Sequence, residues 1–377
     1  MSAAPSSWPE GHRVVVRALG DDPMHALEHH LALEPMPPPD PTTLGPRDVL
    51  VRVAAASINW VDLLMTSGQY QHVPAPPYTP GLEYAGHVLW RGDGVHEPHL
   101  AVGAAVMNDG FLTGPRSLGA HQRWGGFATY AVAPAEALRQ IPGELSLDEA
   151  TNLLGNYETA WHCLVARGAV QPGETVLVHG ASGATGLAAV HVAKRLGATV
   201  IATGRSDDKL AIVAAEGADH VLNVKPLDDT ASVRRFRDDV KALTGGRGVD
   251  VVYDGVGGDI SLESLRCMRF GARFLVVGWA ATPFVARGRG ERGAPNANQL
   301  PTNLIMMKGL TVMGCPTVLS TLADPSIRGP RLAWITAEVA AGRLRPRVAA
   351  RHPLADFRAA MITKWRGEAV GGVVLHP

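Results

Sequence analysis

Hydrophobic positions change their rhythm part-way along the chain. From Arg13 to about Pro134 they gather in short runs, at Arg13–Leu19, Asp48–Ala55, Tyr84–Trp90, Ala104–Asn108 and Phe127–Val132, each broken by Gly, Pro or Asp. Short strands at irregular spacing with turn residues between them predict a mostly antiparallel or barrel-like β domain. Glu34–Pro46 is too proline-rich for either regular element and reads as an extended connector. From about Ser146 the apolar runs become continuous, at Thr175–Val178, Thr199–Ala202, Val249–Tyr253 and Arg273–Val277. Strands apolar on both faces predict a parallel sheet with both sides covered. Between them Gly186–Leu196 and Asp207–Glu216 read as helices stopped by Gly197 and Gly217. Strand, helix, strand at this spacing predicts a doubly wound α/β domain. Near the end, Pro330–Ala341 and Asp356–Trp365 read as amphipathic helices and Gly372–Leu375 as a closing strand, a segment expected to return to the first domain.

Composition narrows the class. The 377 residues are 46% hydrophobic, enough for a core in each of two domains. With 35 basic against 35 acidic residues there is no net pull toward nucleic acid or anionic lipid. The three cysteines, Cys163, Cys267 and Cys315, lie far apart and form neither a disulfide framework nor a CxxC pair. No apolar stretch is long enough for a membrane helix, and the N-terminus has no secretory h-region. The sequence reads as a soluble, cytoplasmic protein.

The strongest local motif runs from Thr175 to Gly186, with His179, Gly180, Ala181, Ser182, Gly183, Ala184 and Thr185 between a buried strand and a helix. That is the context of a dinucleotide fingerprint. Gly183 would let the backbone approach a pyrophosphate, Gly186 would let the helix pack closely, and the helix N-terminus offers free N–H groups. Ala181 replaces the first glycine of the usual GxGxxG. The next strand ends at Gly204, followed by Arg205, Ser206 and, a turn later, Lys209. No carboxylate stands at the strand end to bond a ribose hydroxyl, and Arg205 with Lys209 could pair with a 2′-phosphate. Asp207 and Asp208 read as the acidic first turn of the following helix. NADPH is therefore favoured over NADH, with the alternative that Arg205 and Lys209 simply belong to a solvated helix start. Asn223 completes this cofactor-binding set.

Taken together, these segments resemble the zinc-free branch of the medium-chain dehydrogenase/reductase superfamily, in its quinone oxidoreductase (zeta-crystallin-like) group. The matching stretches are Asp48–Val53, Ser57–Asp62, Gly68–Tyr70, Pro80–Gly86, Gly125–Ala131, Thr159-Ala160, Gly180–Gly186, Asp254–Gly258 and Gly371–Leu375. The resemblance implies a GroES-like β domain formed by both chain ends around a central Rossmann domain. Its boundaries would be 1–150 for the N-terminal catalytic part, 151–314 for the NADP-binding domain and 315–377 for the return. Asn59 stands where zinc alcohol dehydrogenases place a first cysteine ligand, Leu82 where they have histidine, and Gly155 or Asn156 where the third ligand falls. No metal is expected. His96 and His99, spaced HxxH, read as a surface turn without a third ligand nearby. The resemblance further implies that Asn59 and Asp62 lie near the nicotinamide and Thr159 beneath it. Gly255 and Gly278 would end strands facing the cofactor, and Asn303 would reach its nicotinamide end. Gly372 occupies a position where many members carry lysine, removing one polar contact.

Without a metal, hydride delivery to a quinone or an alkene conjugated to a carbonyl needs one donor for the developing oxyanion. Tyr70 is the candidate donor, as in related enoyl reductases, with plain pocket lining as the alternative. Tyr84 and Tyr157 read as packing residues, and Glu83 as orienting its neighbours. Two loops, 108–125 and 280–302, would set substrate choice. The second carries Arg287, Arg289 and Arg292, suited either to an acidic acceptor such as coenzyme A or to a solvated rim. The expectation is an NADPH-dependent quinone or enone reductase acting on a small molecule. Alternatives are an enoyl-CoA-type reductase, or a cofactor-binding protein without turnover. The resemblance also implies a homodimer built along the edge strand at Leu310–Gly314.

Overall fold

The computed structural model describes residues 8–117, 119–226, 232–281 and 298–377. The chain divides into two compact units, one holding the residues up to Leu154 and again from Arg345 to Pro377, the other most of the chain from Gly155 to Leu344.

The first unit is predominantly β. In chain order it has β1 (Gly11–Val16), α1 (Pro23–His29), β2 (Leu31–Met36), β3 (Asp48–Ser57), α2 (Trp60–Met65), β4 (Glu83–Arg91), β5 (Ala105–Asn108), β6 (Tyr130–Pro134), β7 (Leu138–Gln140) and α3 (Leu147–Ala150). Local sequence sets several of these. Asp22 caps α1 by accepting from the His25 N–H at 2.9 Å, with Pro23 as its first residue. Ser146 and Glu149 cap α3 reciprocally. The proline-rich connector starts later than expected, because Leu31–Met36 pairs antiparallel with β1. Pro35 lies opposite His12 in a two-stranded sheet, where a missing donor can face outward.

The second unit begins with α4 (Leu154–Trp161) and a π-helical turn (His162–Arg167). It then alternates β8 (Thr175–Val178), α5 (Ala184–Arg195), β9 (Thr199–Gly204), α6 (Asp207–Ala215), β10 (His220–Asn223), α7 (Arg237–Leu243), β11 (Val249–Asp254), α8 (Asp259–Cys267) and β12 (Met268–Val276). It closes with α9 (Thr302–Met307), β13 (Thr311–Gly314), α10 (Thr317–Ala323) and α11 (Arg328–Ala340). The six strands run parallel in the order β10-β9-β8-β11-β12-β13. Every residue of β8 and β11 is buried, as continuous apolar runs require.

The return to the first unit falls at Arg345, later than the 315 expected from the sequence. Residues of α11 are held in the second unit by charge: Arg328 and Arg331 both bond Glu158 on α4, at 2.7 Å each. Arg331 and Glu158 are almost wholly buried, so removing Glu158 would leave the Arg331 charge buried without its carboxylate. The chain ends with β14 (Val348–Pro353), α12 (Phe357–Trp365) and β15 (Gly372–His376). β15 pairs antiparallel with β3, completing a seven-stranded sheet with β14, β4, β5, β6 and β7. The fold is thus a β unit made from both chain ends and a central doubly wound α/β unit. Among the described residues, no helix is long and apolar enough to cross a membrane.

Candidate active site

In the second unit, the sheet order reverses between β8 and β11, and loops leaving the carboxyl ends of such strands form the usual ligand crevice. The loop after β8 turns at Gly180, with φ of 65°, and enters α5 at Gly183. A Cβ on Gly186 would lie 2.2 Å from the Gly180 carbonyl oxygen, so only glycine lets α5 seat on this loop. Gly183 is exposed and Ser182, Ala184 and Thr185 half-buried. The first-turn N–H groups of α5 have no acceptor within the helix, which suits them to an anion. Thr185 donates instead to Asn156 at 2.8 Å through its hydroxyl, tying α5 to α4. The residues present therefore fit a dinucleotide pyrophosphate.

Beneath this loop lies a buried polar network. His179 bonds Thr203 through Nδ1 at 2.8 Å and Ser264 through Nε2 at 2.6 Å. Because the Ser264 hydroxyl donates to the Ile260 carbonyl, Nε2 of His179 carries the proton and Nδ1 accepts from Thr203. Burial pushes His179 down to about 4, so the ring is neutral. Asp254, at the end of β11, accepts from the N–H groups of Val256 and Gly257 at 2.9 Å each and from Ser261. These bonds shape the turn at Gly255, whose carbonyl accepts from Ala280 N–H at 3.2 Å; Gly278 lies close to the same turn.

At the end of β9, Gly204 packs against Leu210 of α6. Arg205 is exposed and has no acidic partner among the described residues, while Ser206 and Lys209 are half-buried. The nearest following carboxylate, Asp207, accepts from the Asn223 amide at 2.8 Å. Asn223 also accepts from Lys225 N–H at 2.9 Å, so its side chain shapes the turn after β10. Thr159 donates to the Gly155 carbonyl within α4 at 2.7 Å. Asn303 is exposed on α9. Tyr157 is buried and bonds His191 at 2.7 Å, a packing role as expected.

In the first unit, polar residues converge at the start of α2. Asn59 donates through its amide to Ser57 and to Glu83, each at 3.1 Å. Ser57 in turn donates to the Thr151 carbonyl at 2.7 Å. Asp62 is buried and spends both oxygens on backbone: one accepts from Gly81 and Leu82, at 3.1 and 3.0 Å, the other from Asn59 at 2.8 Å. Burial pushes its carboxyl up to about 6, against the pull of these N–H groups and of Arg116. Its geometry is that of a brace fixing the 81–82 turn against α2. Tyr70 follows α2 in a bend, half-buried, with no hydrogen bond to another described residue. Tyr84 is fully buried. His99 reaches only the Leu138 carbonyl, at 3.3 Å, and His96 is exposed, consistent with a surface turn.

The model of the alcohol dehydrogenase GroES-like domain matches residues 45–143, and that of the zinc-binding dehydrogenase matches residues 184–324. Quinone oxidoreductase-like protein 2 of Mus musculus is 36% identical over 275 residues, covering 73% of this chain and 69% of that protein. The chain belongs to the medium-chain dehydrogenase/reductase superfamily, in its quinone oxidoreductase group. Human quinone oxidoreductase is 28% identical over 311 residues, 82% of this chain and 83% of its own length. A mycobacterial structure complexed with NADPH superposes with a TM-score of 0.74 at 26% identity, covering 97% of this chain and all of that one.

Asn59, expected from the sequence where zinc-dependent members place their first cysteine ligand, is committed to Ser57 and Glu83. Leu82, at the histidine ligand, is buried. Among the described residues, no group of three His, Cys, Asp or Glu side chains could hold a metal ion. Gly372, where many members carry lysine, has a physical reason here: a Cβ would lie 2.1 Å from Asn152 Oδ1. Asn152 is itself fixed by donating to the Asp148 carbonyl at 3.0 Å. Arg287, Arg289 and Arg292, and most of the loop 280–302, lie outside the described residues. Loop 108–125, described apart from residue 118, is held at its base by buried Asp109, which takes two bonds from Arg139 at 2.9 and 2.6 Å. The residue that sequence reasoning passed over is Lys364, on α12.

Proposed function

We propose that this protein is a cytoplasmic, NADPH-dependent, metal-independent reductase that transfers hydride to a quinone or to an alkene conjugated to a carbonyl. The observation that carries this reading is the polar cluster at α2, where an amide bonded to Ser57 and Glu83 replaces the first zinc-ligating position and an apolar side chain replaces the second. Asn59 and Leu82 in those places do not suit a catalytic zinc, so the acceptor must itself be able to delocalise the incoming charge. NADPH supplies the hydride when bound. The N–H groups at the start of α5 would bind its pyrophosphate, and Arg205 its 2′-phosphate, which Asp207 does not oppose because it is turned to Asn223. Thr159, Gly255, Gly278 and Asn303 are the further cofactor contacts of this reading, with Asn59 held in place by Glu83 and Asp62 bracing the turn behind it. Tyr70, with no hydrogen bond to another described residue, would donate a proton as charge moves onto the acceptor oxygen.

The test is NADPH oxidation by chelator-treated protein with ortho- and para-quinones, simple enones and an enoyl-CoA offered in parallel. Turnover with a conjugated acceptor supports the reading. Tyr70→Phe should lower enone turnover about 10²-fold or more with NADPH affinity unchanged. NADPH binding with no oxidation of it across the whole panel would overturn the catalytic reading and leave a cofactor-binding protein.

The homodimer belongs to the same proposal. β13 is the last strand of its sheet, and its neighbourhood exposes Phe270 (75%), Met306 (74%) and Met307 (69%). An open strand edge beside exposed large apolar side chains invites pairing with a second copy. Light scattering should give twice the monomer mass, and Val312→Lys should return a monomer.

A further inference from the structure

The core-facing stripe of α12 is Phe357, Ala360 and Met361, all buried in the first unit. Continuing that spacing by three residues reaches Lys364, so an ammonium stands where the helical pattern calls for an apolar side chain. The helix is held against α2 at this level by Trp365, which stacks on Trp60 with ring centroids 4.9 Å apart and planes 5° from parallel. Trp60 directly follows Asn59. Lys364 is thereby carried, half-buried, to the charge cluster of Asp62 and Glu83.

That cluster does not consume it. Asp62 already has three backbone donors, and Glu83 accepts from Asn59. The Lys364 ammonium makes no hydrogen bond or ion pair with any described residue. Withdrawing an ammonium from water without giving it an acceptor is costly, and its three donors are unspent. Burial pushes its amine down to about 8, with Asp62 and Glu83 pulling the other way. Those two carboxylates are the charged groups that bear on it; α1, β14 and β15, which also pack on α12, bring none to it. At neutral pH the group is still mostly charged.

We infer that Lys364 is a binding residue for an anionic oxygen of a bound ligand, donating to it from the side of Asn59 and Glu83. In the reductase reading, on which this rests, that oxygen is the oxyanion forming on the acceptor carbonyl. The two carboxylates favour the protonated amine, and the ligand completes its hydrogen bonds.

The experiment compares wild-type protein with Lys364→Met and Lys364→Arg, measuring the NADPH Kd by fluorescence titration separately from kcat and KM with an enone or quinone. A charge-assisted bond lost should cost about 10- to 100-fold. A lowered kcat in Lys364→Met with the NADPH Kd unchanged supports the inference; a raised NADPH Kd with kcat unchanged overturns it. Lys364→Arg should restore most of whichever quantity fell. It should also remove the loss above about pH 8 that the wild type shows as the amine deprotonates. If Lys364→Met changes neither quantity while lowering only the melting temperature, the lysine is a structural counter-charge and the inference is overturned. Should the wild type oxidise no NADPH, the reductase reading fails by itself, an outcome distinct from a Lys364→Met protein that turns over like the wild type.

Discussion

Gly183 caps α5 and Gly186 lies in its first turn, yet the structure assigns them opposite consequences. A methyl group at 186 would meet the Gly180 carbonyl oxygen at 2.2 Å, its carbon at 2.8 Å and Ala181 Cα at 2.9 Å. All are backbone atoms that no rotamer change can move, so Gly186→Ala must lift α5 from the loop by about an ångström. Leu187 and Val190, both buried, would lose packing in the process. Overpacking of this kind costs about 1–3 kcal/mol. For a unit of this size that is a fall of about 3–10 °C in melting temperature. At 183 the nearest neighbour of the same methyl is the Gly180 oxygen, at an ordinary 3.4 Å, and the backbone is extended. Gly183→Ala should therefore melt within about 3 °C of wild type, the small cost of alanine at an N-cap. Its methyl would instead stand where a pyrophosphate approaches the helix, weakening NADPH about tenfold or more. Thermal melts by circular dichroism without cofactor, followed by NADPH titration, separate the two effects. Equal melting shifts for the two variants, or a Gly186→Ala protein as stable as wild type, would refute the reasoning.

Other expectations rest on single contacts. Asp62→Asn puts an amide where one carboxylate oxygen accepts from Asn59, and should cost about 1.5–3 kcal/mol in urea unfolding; an unchanged midpoint would remove Asp62's bracing role. Arg205→Ala should weaken NADPH about tenfold and leave NADH within about twofold, whereas equal losses would sink the 2′-phosphate assignment. Buried His162 and His179 are both pushed down to about 4, chiefly by burial. Their folded values lie below the ordinary 6.5, so the unfolded chain takes up protons first. Stability should be full above about pH 6.5 and lost as the pH falls toward 4, by about 2 kcal/mol for each histidine at pH 5. His179→Gln should flatten this slope between pH 7 and 5, and an unaltered slope would show that His179 is not held neutral.

The doubly wound unit was legible because its strands are buried on both faces, which leaves continuous apolar runs at β8, β9 and β11. The glycine loop was legible for a similar reason: close backbone approach admits few residue types. What escaped the sequence depends on partners distant in the chain. Nothing local announces that Arg328 and Arg331 pair with Glu158, and that pairing keeps α11 with the parallel sheet rather than with the chain's end. Pro35 suggested a connector although its strand edge tolerates the missing N–H. Asn223 ends its strand as a cofactor contact would, but its amide serves Asp207. Lys364 carried a readable signal, a charge in the buried stripe after Phe357, Ala360 and Met361, whose meaning needed the carboxylates of α2 and β4 beside it.

Direct hydride transfer from NADPH to a conjugated acceptor is tested most directly by isotopic labelling. Each C4-deuterated epimer of NADPH would be incubated with chelator-treated protein and a simple enone, and the product examined by mass spectrometry and NMR. One epimer should place a single deuterium on the carbon β to the carbonyl, with the proton at the α position coming from solvent. A product without label from either epimer would contradict it.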